Sequence, residues 1–318
     1  MNNRSALNAE QTGEEIVSGY LHPAYAESLT PFGIPLPLPL SKGWILKRPI
    51  LGSNYYDAMG PYPILACQNW SQLQADLEQI ETGLVCLSVV TDPLGTYDLD
   101  YLRQCFPDVT KSFKQHFVID LERPPESFVN AHHLRNARKA LQKIQVVECS
   151  RPIDFLEDWT TLYETLKERH HIKGIAAFSK ESFAGQLRVP GVIAFRALHD
   201  DATVGMLLWY RQGNRAYYHL GAYSPRGYEL RASFALFSYS LDYFARLGLE
   251  WLSLGAGAGA GPGAESGLTR FKQGWSTGVR TAYFCGRIFD KQKYQEIIRS
   301  RGATTTEYFP AYRAGEFA

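Results

Sequence analysis

No run in the 318 residues approaches the roughly 20 apolar residues that a membrane-crossing helix needs. The opening "MNNRSALNAEQTGEEIVSG" is polar and partly acidic, without the apolar stretch of a secretory leader. A soluble, cytoplasmic protein without membrane insertion is expected, with residues 1–19 poorly ordered. Cysteine is scarce and scattered: Cys67, Cys86, Cys105, Cys149 and Cys285 form no Cys-x-x-Cys pair. That excludes a zinc ribbon and a thioredoxin-type site, and the odd number argues against a disulfide framework. Excess charge is missing too, since 33 Lys and Arg against 32 Asp and Glu leave a net +1. A dedicated nucleic-acid binder is thereby disfavoured, though a local basic patch is not. No serine or cysteine sits in a nucleophile motif, so no covalent enzyme intermediate is expected.

What is present is apolar and aromatic, 45% and 13% of the chain, enough for more than one core. In "FGIPLPLPL" alternating prolines predict an extended segment at a sheet edge, followed by a turn and a strand from Trp44 to Ile50. "NYYDAMGPYP" reads as a loop, "LVCLSVV" as a buried strand and "KQHFVIDL" as another. "ESFVNAHHLRNARKALQK" is helical by period, with Phe128, Ala131, Leu134, Ala137 and Leu141 on its apolar stripe. His133, Arg135, Arg138, Lys139 and Lys143 fall on the opposite face. Beyond residue 144 the order reads strand, two helices, three strands in an antiparallel meander, helix, strand, short helix, strand.

The segment "LGAGAGAGPGAESGLTRFKQGW" suggests a nucleotide loop. Only Gly259, Gly261 and Ala264 keep dinucleotide spacing, several residues beyond the strand end, and no P-loop Lys-Ser/Thr follows. The run is read instead as a hinge bringing "GLTRFKQGW" to the end of the sheet.

"RNARKAL", then "AYSPRGYELRASFALF", "GLEWLSLGAGAG" and "GLTRFKQGWSTG", over roughly residues 130–290, resemble the Fem-like branch of the GNAT acyltransferase superfamily. The resemblance implies a mixed-sheet α/β fold of two tandem GNAT-like domains. The N-terminal one, 20–143, would be degenerate and the C-terminal one, 144–318, would carry the transferase site. It also implies an N-acyltransferase in which an amine attacks an activated acyl group directly. The acceptor is a small-molecule or peptide amine. The donor is of acyl-CoA type, because no long charged helical hairpin of the tRNA-dependent ligases is seen; aminoacyl-tRNA stays open as donor. A non-catalytic binding protein with the same fold is the alternative from another class.

The resemblance assigns Lys272 in "RFKQGW" to the family's motif lysine, offsetting negative charge on the donor or intermediate. The turn between strand "AYYHLGAY" and helix "RASFALFSYSL" offers backbone N–H groups to a pyrophosphate, so Arg226, Gly227, Tyr228, Glu229 and Leu230 are the cofactor-binding candidates. Period two places Tyr217, His219, Gly221 and Tyr223 on one strand face, which makes His219 a candidate base or else a packed histidine. Tyr283 is a candidate leaving-group acid or a core aromatic. Arg135, Arg138 and Lys139 can meet an anionic acceptor or a tRNA phosphate, and Phe271 is placed at the substrate. The pairs His132-His133 and His170-His171 diverge on helices, so no metal is expected.

Overall fold

The computed structural model describes residues 17–80, 83–257, 267–301 and 306–316. Of residues 1–19, expected to be poorly ordered, 1–16 lie outside that description, and Gly19 donates its N–H to Pro190 O at 2.8 Å. In chain order the elements are α1 (Pro23–Glu27), β1 (Ile34–Leu38), β2 (Gly43–Pro49), β3 (Tyr56–Met59), α2 (Leu73–Gln79), β4 (Leu84–Val90), α3 (Leu99–Cys105) and β5 (Val109–Asp120). Then come α4 (Ala131–Leu141), β6 (Gln145–Glu148), α5 (Leu156–His170), α6 (Lys180–Gln186), β7 (Val192–His199), β8 (Ala202–Gln212) and β9 (Arg215–Tyr223). The last are α7 (Pro225–Glu229), α8 (Ala232–Arg246), β10 (Trp251–Ala256), α9 (Gly267–Gln273), β11 (Gly278–Ile288) and α10 (Lys291–Ser300).

All strands join one eleven-stranded mixed sheet in the order β1-β2-β3-β4-β11-β5-β10-β9-β8-β7-β6. The proline-alternating β1 lies at the edge, where missing N–H donors cost least. The expected loop around Tyr56 is instead strand β3, antiparallel to β2 and parallel to β4. Its four residues are too few for a periodic signal, and the neighbouring strands impose the conformation. Strand β11 lies between β4 and β5, so residues 278–288 stand among the strands of the N-terminal half. The helix α10 that follows, capped by Asp290, packs Tyr294 and Ile297 on Ile50, Val85 and Cys86 there.

Helices cover both faces. On one, α4 and α8 close a core around Trp209, Phe237, Phe244 and Trp275; on the other, α1, α5 and α6 close one around Tyr25, Trp159, Phe183 and Tyr210. Helix α4 is rotated from the expected stripe. His133, Asn136, Ala137 and Ala140 are buried, whereas Ala131 and Leu141 are exposed. The reason is aromatic packing: the His133 ring sits against Phe234, Phe271 and Trp275, which outweighs the apolar periodicity of the helix alone.

Candidate active site

Two parallel neighbours in the middle of the sheet part company. Strands β9 and β10 pair from Trp251↔Arg215 to Ser253↔Tyr217. Beyond that point β10 stays with β5 through Ala256↔His116, while β9 stays with β8 through Gly205↔Tyr223. A bulge at Ser253/Gly255 turns β10 away, and Gly255 takes φ +72°, a left-handed conformation suited to glycine. A wedge-shaped gap results, with unshared strand edges on both sides.

Lys272 enters this gap. Its Nζ donates to Ala256 O at 2.7 Å and lies 5.4 Å from the centre of the Tyr218 ring. A Cβ on Gly255 would stand 3.3 Å from Nζ, so glycine there leaves room for the amine. The side chain is only 6% exposed, and burial, then the charge of Lys114, pulls its pKa down to about 7. His116 beside it is buried and pushed down to about 3, by burial first and then by Lys272 and Lys114.

Helix α9 is too short to hold the lysine by itself, and its neighbours hold it. Phe271 packs 5.0 Å from Phe234 and 4.9 Å from Phe237, ring centre to ring centre. His133 Nε2 bonds Phe271 O at 3.0 Å, and Asn130 N donates to Gly274 O at 2.9 Å. A Cβ at Gly274 would approach the His133 ring to 2.3 Å, so the α4–α9 contact requires glycine. Phe271 is therefore an anchor of α9 in the core. Residues 258–266, where the hinge was expected, lie outside the described residues.

A row of tyrosines leads outward from the lysine. The Tyr218 and Tyr223 hydroxyls both stand over Gly221, whose absent Cβ would fall 2.4 Å from Tyr218 Oη and 3.1 Å from Tyr223 Oη. The Tyr223 and Tyr228 rings are 5.5 Å apart, and the Arg169 guanidinium lies 4.2 Å over Tyr228. Sequence periodicity had placed His219 with Gly221 and Tyr223. In the β8–β9 register Leu208 faces Leu220 and Trp209 faces Tyr218, so His219 is the bulged residue and the faces exchange there.

His219 is thereby turned to the other core. Its Nδ1 accepts from Tyr20 Oη at 3.1 Å and its Nε2 donates to Gln186 Oε1 at 3.2 Å. Burial lowers its pKa to about 3. Both nitrogens are engaged away from solvent, the arrangement of a packed histidine. Tyr283 is also core: its ring packs with the cluster around Trp70 and Leu87, and its N–H donates to Thr91 Oγ1 at 3.0 Å.

The expected pyrophosphate loop is the short helix α7. Ser224 Oγ already takes the N–H of Gly227 at 3.1 Å, Ser224 O that of Tyr228 at 3.0 Å, and Arg226 O that of Leu230 at 3.0 Å. Leu230 is buried in the core, and the exposed Arg226 and Glu229 pair with each other at 2.8 Å. The backbone amides of 227, 228 and 230 thus close on their own turn. Arg135, Arg138 and Lys139 stay exposed on the outer side of α4, away from the buried His133 edge. Among the described residues no cluster of three or more metal-ligating side chains occurs.

These features have relatives. Residues 130–273 match the family model described as an acetyltransferase (GNAT) domain. The structure of FemX superposes with a TM-score of 0.65 at 14% identity, covering 89% of this chain and 96% of that one. A C-terminal domain of a putative lysylphosphatidylglycerol synthetase from Agrobacterium fabrum gives 0.56 at 13%, covering 82% and 87%. The structure named L-PGS from Bacillus licheniformis gives 0.54 at 14%, covering 92% and 98%. No curated protein sequence matches the chain. Residues 130–273 thus resemble a GNAT acetyltransferase domain, and the chain shares the fold of FemX.

Proposed function

We propose that the protein is an N-acyltransferase whose acyl donor lies in the gap between β9 and β10, with Lys272 at the reacting carbonyl. One observation carries this reading: a buried lysine, clamped by α4 and α8, stands between diverging strands with the Ala256 carbonyl as its hydrogen-bond acceptor. The acceptor amine, in its neutral form, attacks the donor carbonyl carbon. The bond from that carbon to the leaving oxygen or sulfur breaks, an amide forms, and the amine proton leaves with the leaving group or to water. Charge develops on the carbonyl oxygen during attack, and a protonated Lys272 offsets it in a site that excludes water. With a pKa near 7 the lysine loses little on becoming charged once an anionic group arrives beside it.

The tyrosine row from Tyr218 to Tyr228 lines the donor, with Arg169 meeting its anionic portion. The acceptor approaches over Lys114 and His116 on β5. Two donors suit this frame, an acyl-CoA-type thioester and an aminoacyl ester of tRNA. The inward-turned amides of Gly227, Tyr228 and Leu230 favour the ester, which does not require a pyrophosphate cradle at that turn. Thermal unfolding with acetyl-CoA, a longer acyl-CoA and charged tRNA separates the readings, since a ligand of the folded state raises apparent stability. A shift with charged tRNA that is reduced in Lys272→Met supports the ester. A shift with acyl-CoA alone supports the thioester. No shift with either donor removes the transferase reading and leaves a binding protein.

A further inference from the structure

We propose that Arg48 and Arg313 form a receptor for the carboxylate of a small apolar acid or peptide end, and that the chain's own Glu316 fills it here. The two guanidinium groups come from opposite ends of the chain and meet at one oxygen. Arg48 Nη2, on β2, and Arg313 Nη1, at 3.0 Å, both donate to Glu316 Oε1. Arg313 is held in place without Glu316. It grips Asp57 with Nε at 2.6 Å and Nη2 at 2.8 Å, and the same Nη2 donates to Pro49 O at 2.8 Å. Tyr312 Oη donates to Asp57 as well, at 2.9 Å, so that carboxylate is committed.

Glu316 differs from Asp57 in every respect that matters for exchange. Its side chain is 30% exposed, it follows Arg313 by three residues in the last described turn, and Asp57 is 2% exposed within the sheet. Two guanidinium groups converging on one oxygen offer charge-assisted hydrogen bonds to a carboxylate, and here that carboxylate belongs to the last described turn. Beside the two arginines is a cavity of about 170 Å3, with Met59, Tyr62, Val89, Phe284 and Phe309 on one part of its wall and Arg48, Arg313, Asp57 and Glu316 on another. A cavity of that size takes a ligand of roughly benzene dimensions. The arginine pair and the apolar wall together describe an acid with one compact hydrophobic group, and Glu316 competes for the arginines only.

The probe is N-acetylphenylalanine, with N-acetylphenylalanine amide as its uncharged twin and the tripeptide Ala-Ala-Phe as the peptide end. Affinity is measured calorimetrically on the full chain, so the result does not depend on any acyl transfer. Glu316→Gln weakens the internal competitor and is expected to tighten binding of the acid about tenfold, with no gain for the amide. Arg48→Lys keeps a charge but loses the planar guanidinium donor, and is expected to weaken the acid about tenfold. Tighter binding of the tripeptide than of the acetylated amino acid assigns the site to a peptide terminus, and the reverse assigns it to a free acid. Equal binding of acid and amide, or acid binding unmoved by both substitutions, overturns the proposal.

Discussion

Replacing Lys272 by methionine should make the protein more stable, and more so at low pH. The lysine has a pKa of about 7 in the folded chain against 10.5 when free. Below about pH 7 both states are protonated, and folding carries the whole cost of burying the charge. That cost is about 5 kcal/mol, since lowering the lysine from 10.5 to about 7 weakens its hold on the proton by about 1.4 kcal/mol for each factor of ten. Between about 7 and 10.5 the unfolded chain holds a proton that the folded chain lacks, so the wild type gains stability as pH rises. At pH 9 the cost has fallen to about 2 kcal/mol, and near 10.5 it is almost gone. Methionine removes it at every pH. It also loses the bond to Ala256 O, a constant subtraction of about 1 kcal/mol that does not tilt with pH. His116 feels the lysine too, but it titrates near 3, outside the window. Urea unfolding of both proteins at pH 6, 7.5 and 9 reads the difference, expected to shrink by about 2–3 kcal/mol from pH 6 to pH 9. A difference that stays flat would mean an ordinary charged lysine, and the argument from burial would fail. In transfer assays the same substitution should lower turnover roughly ten- to a thousand-fold.

Three other outcomes are expected. His219→Gln should leave turnover within about twofold while lowering urea stability by about 1–3 kcal/mol, because both ring nitrogens serve the buried Tyr20–Gln186 network. Gly255→Ala should cost about 1–2 kcal/mol for a side chain at φ +72° and also reduce turnover, since the new methyl meets Lys272 Nζ. Arg169→Ala should raise the KM for the donor and leave kcat nearly unchanged if the guanidinium contacts only the donor's remote anionic part.

Local patterns carried the C-terminal half of the fold. Ser179 caps α6 through the N–H of Ser182, and β7, β8 and β9 form the expected meander. Lys272 was singled out by the resemblance of "RFKQGW" to the Fem-like motif, with Phe271 and Trp275 suggesting that its helix is packed. What could not be read was anything set by a neighbour's geometry. The bulge at His219 exchanges strand faces, so a period-two reading gathers His219 with Tyr223 when Tyr218 is the true companion. Helix α4 hides a histidine and shows a leucine because its partners are aromatic rings from α8 and α9. Helix α7 closes its own amides, and a strand-to-helix turn in sequence gives no sign of that. The insertion of β11 between β4 and β5 is a long-range pairing without any local signal.

That insertion also brings basic residues close to the lysine. Strand β5 has β10 on one side and β11 on the other, so it sets His116 beside Ala256 and opposite Arg280 in adjoining registers. Lys114 is two residues further along, and Arg280 lies 4.4 Å over the Trp251 ring. Among the described residues the causes acting on Lys272 are burial and a like charge; no carboxylate relieves it. A fold selected for stability alone would place an apolar residue here, since an uncompensated buried charge is costly. The positive groups around the gap therefore make sense together with a negative visitor. On the proposed reading, an anion in the gap adds an attraction that offsets burial and the repulsion from Lys114, so that the lysine regains its proton. The free energy that destabilises the empty site below pH 7 is then part of the free energy with which it selects an anion, or the oxyanion of a transition state.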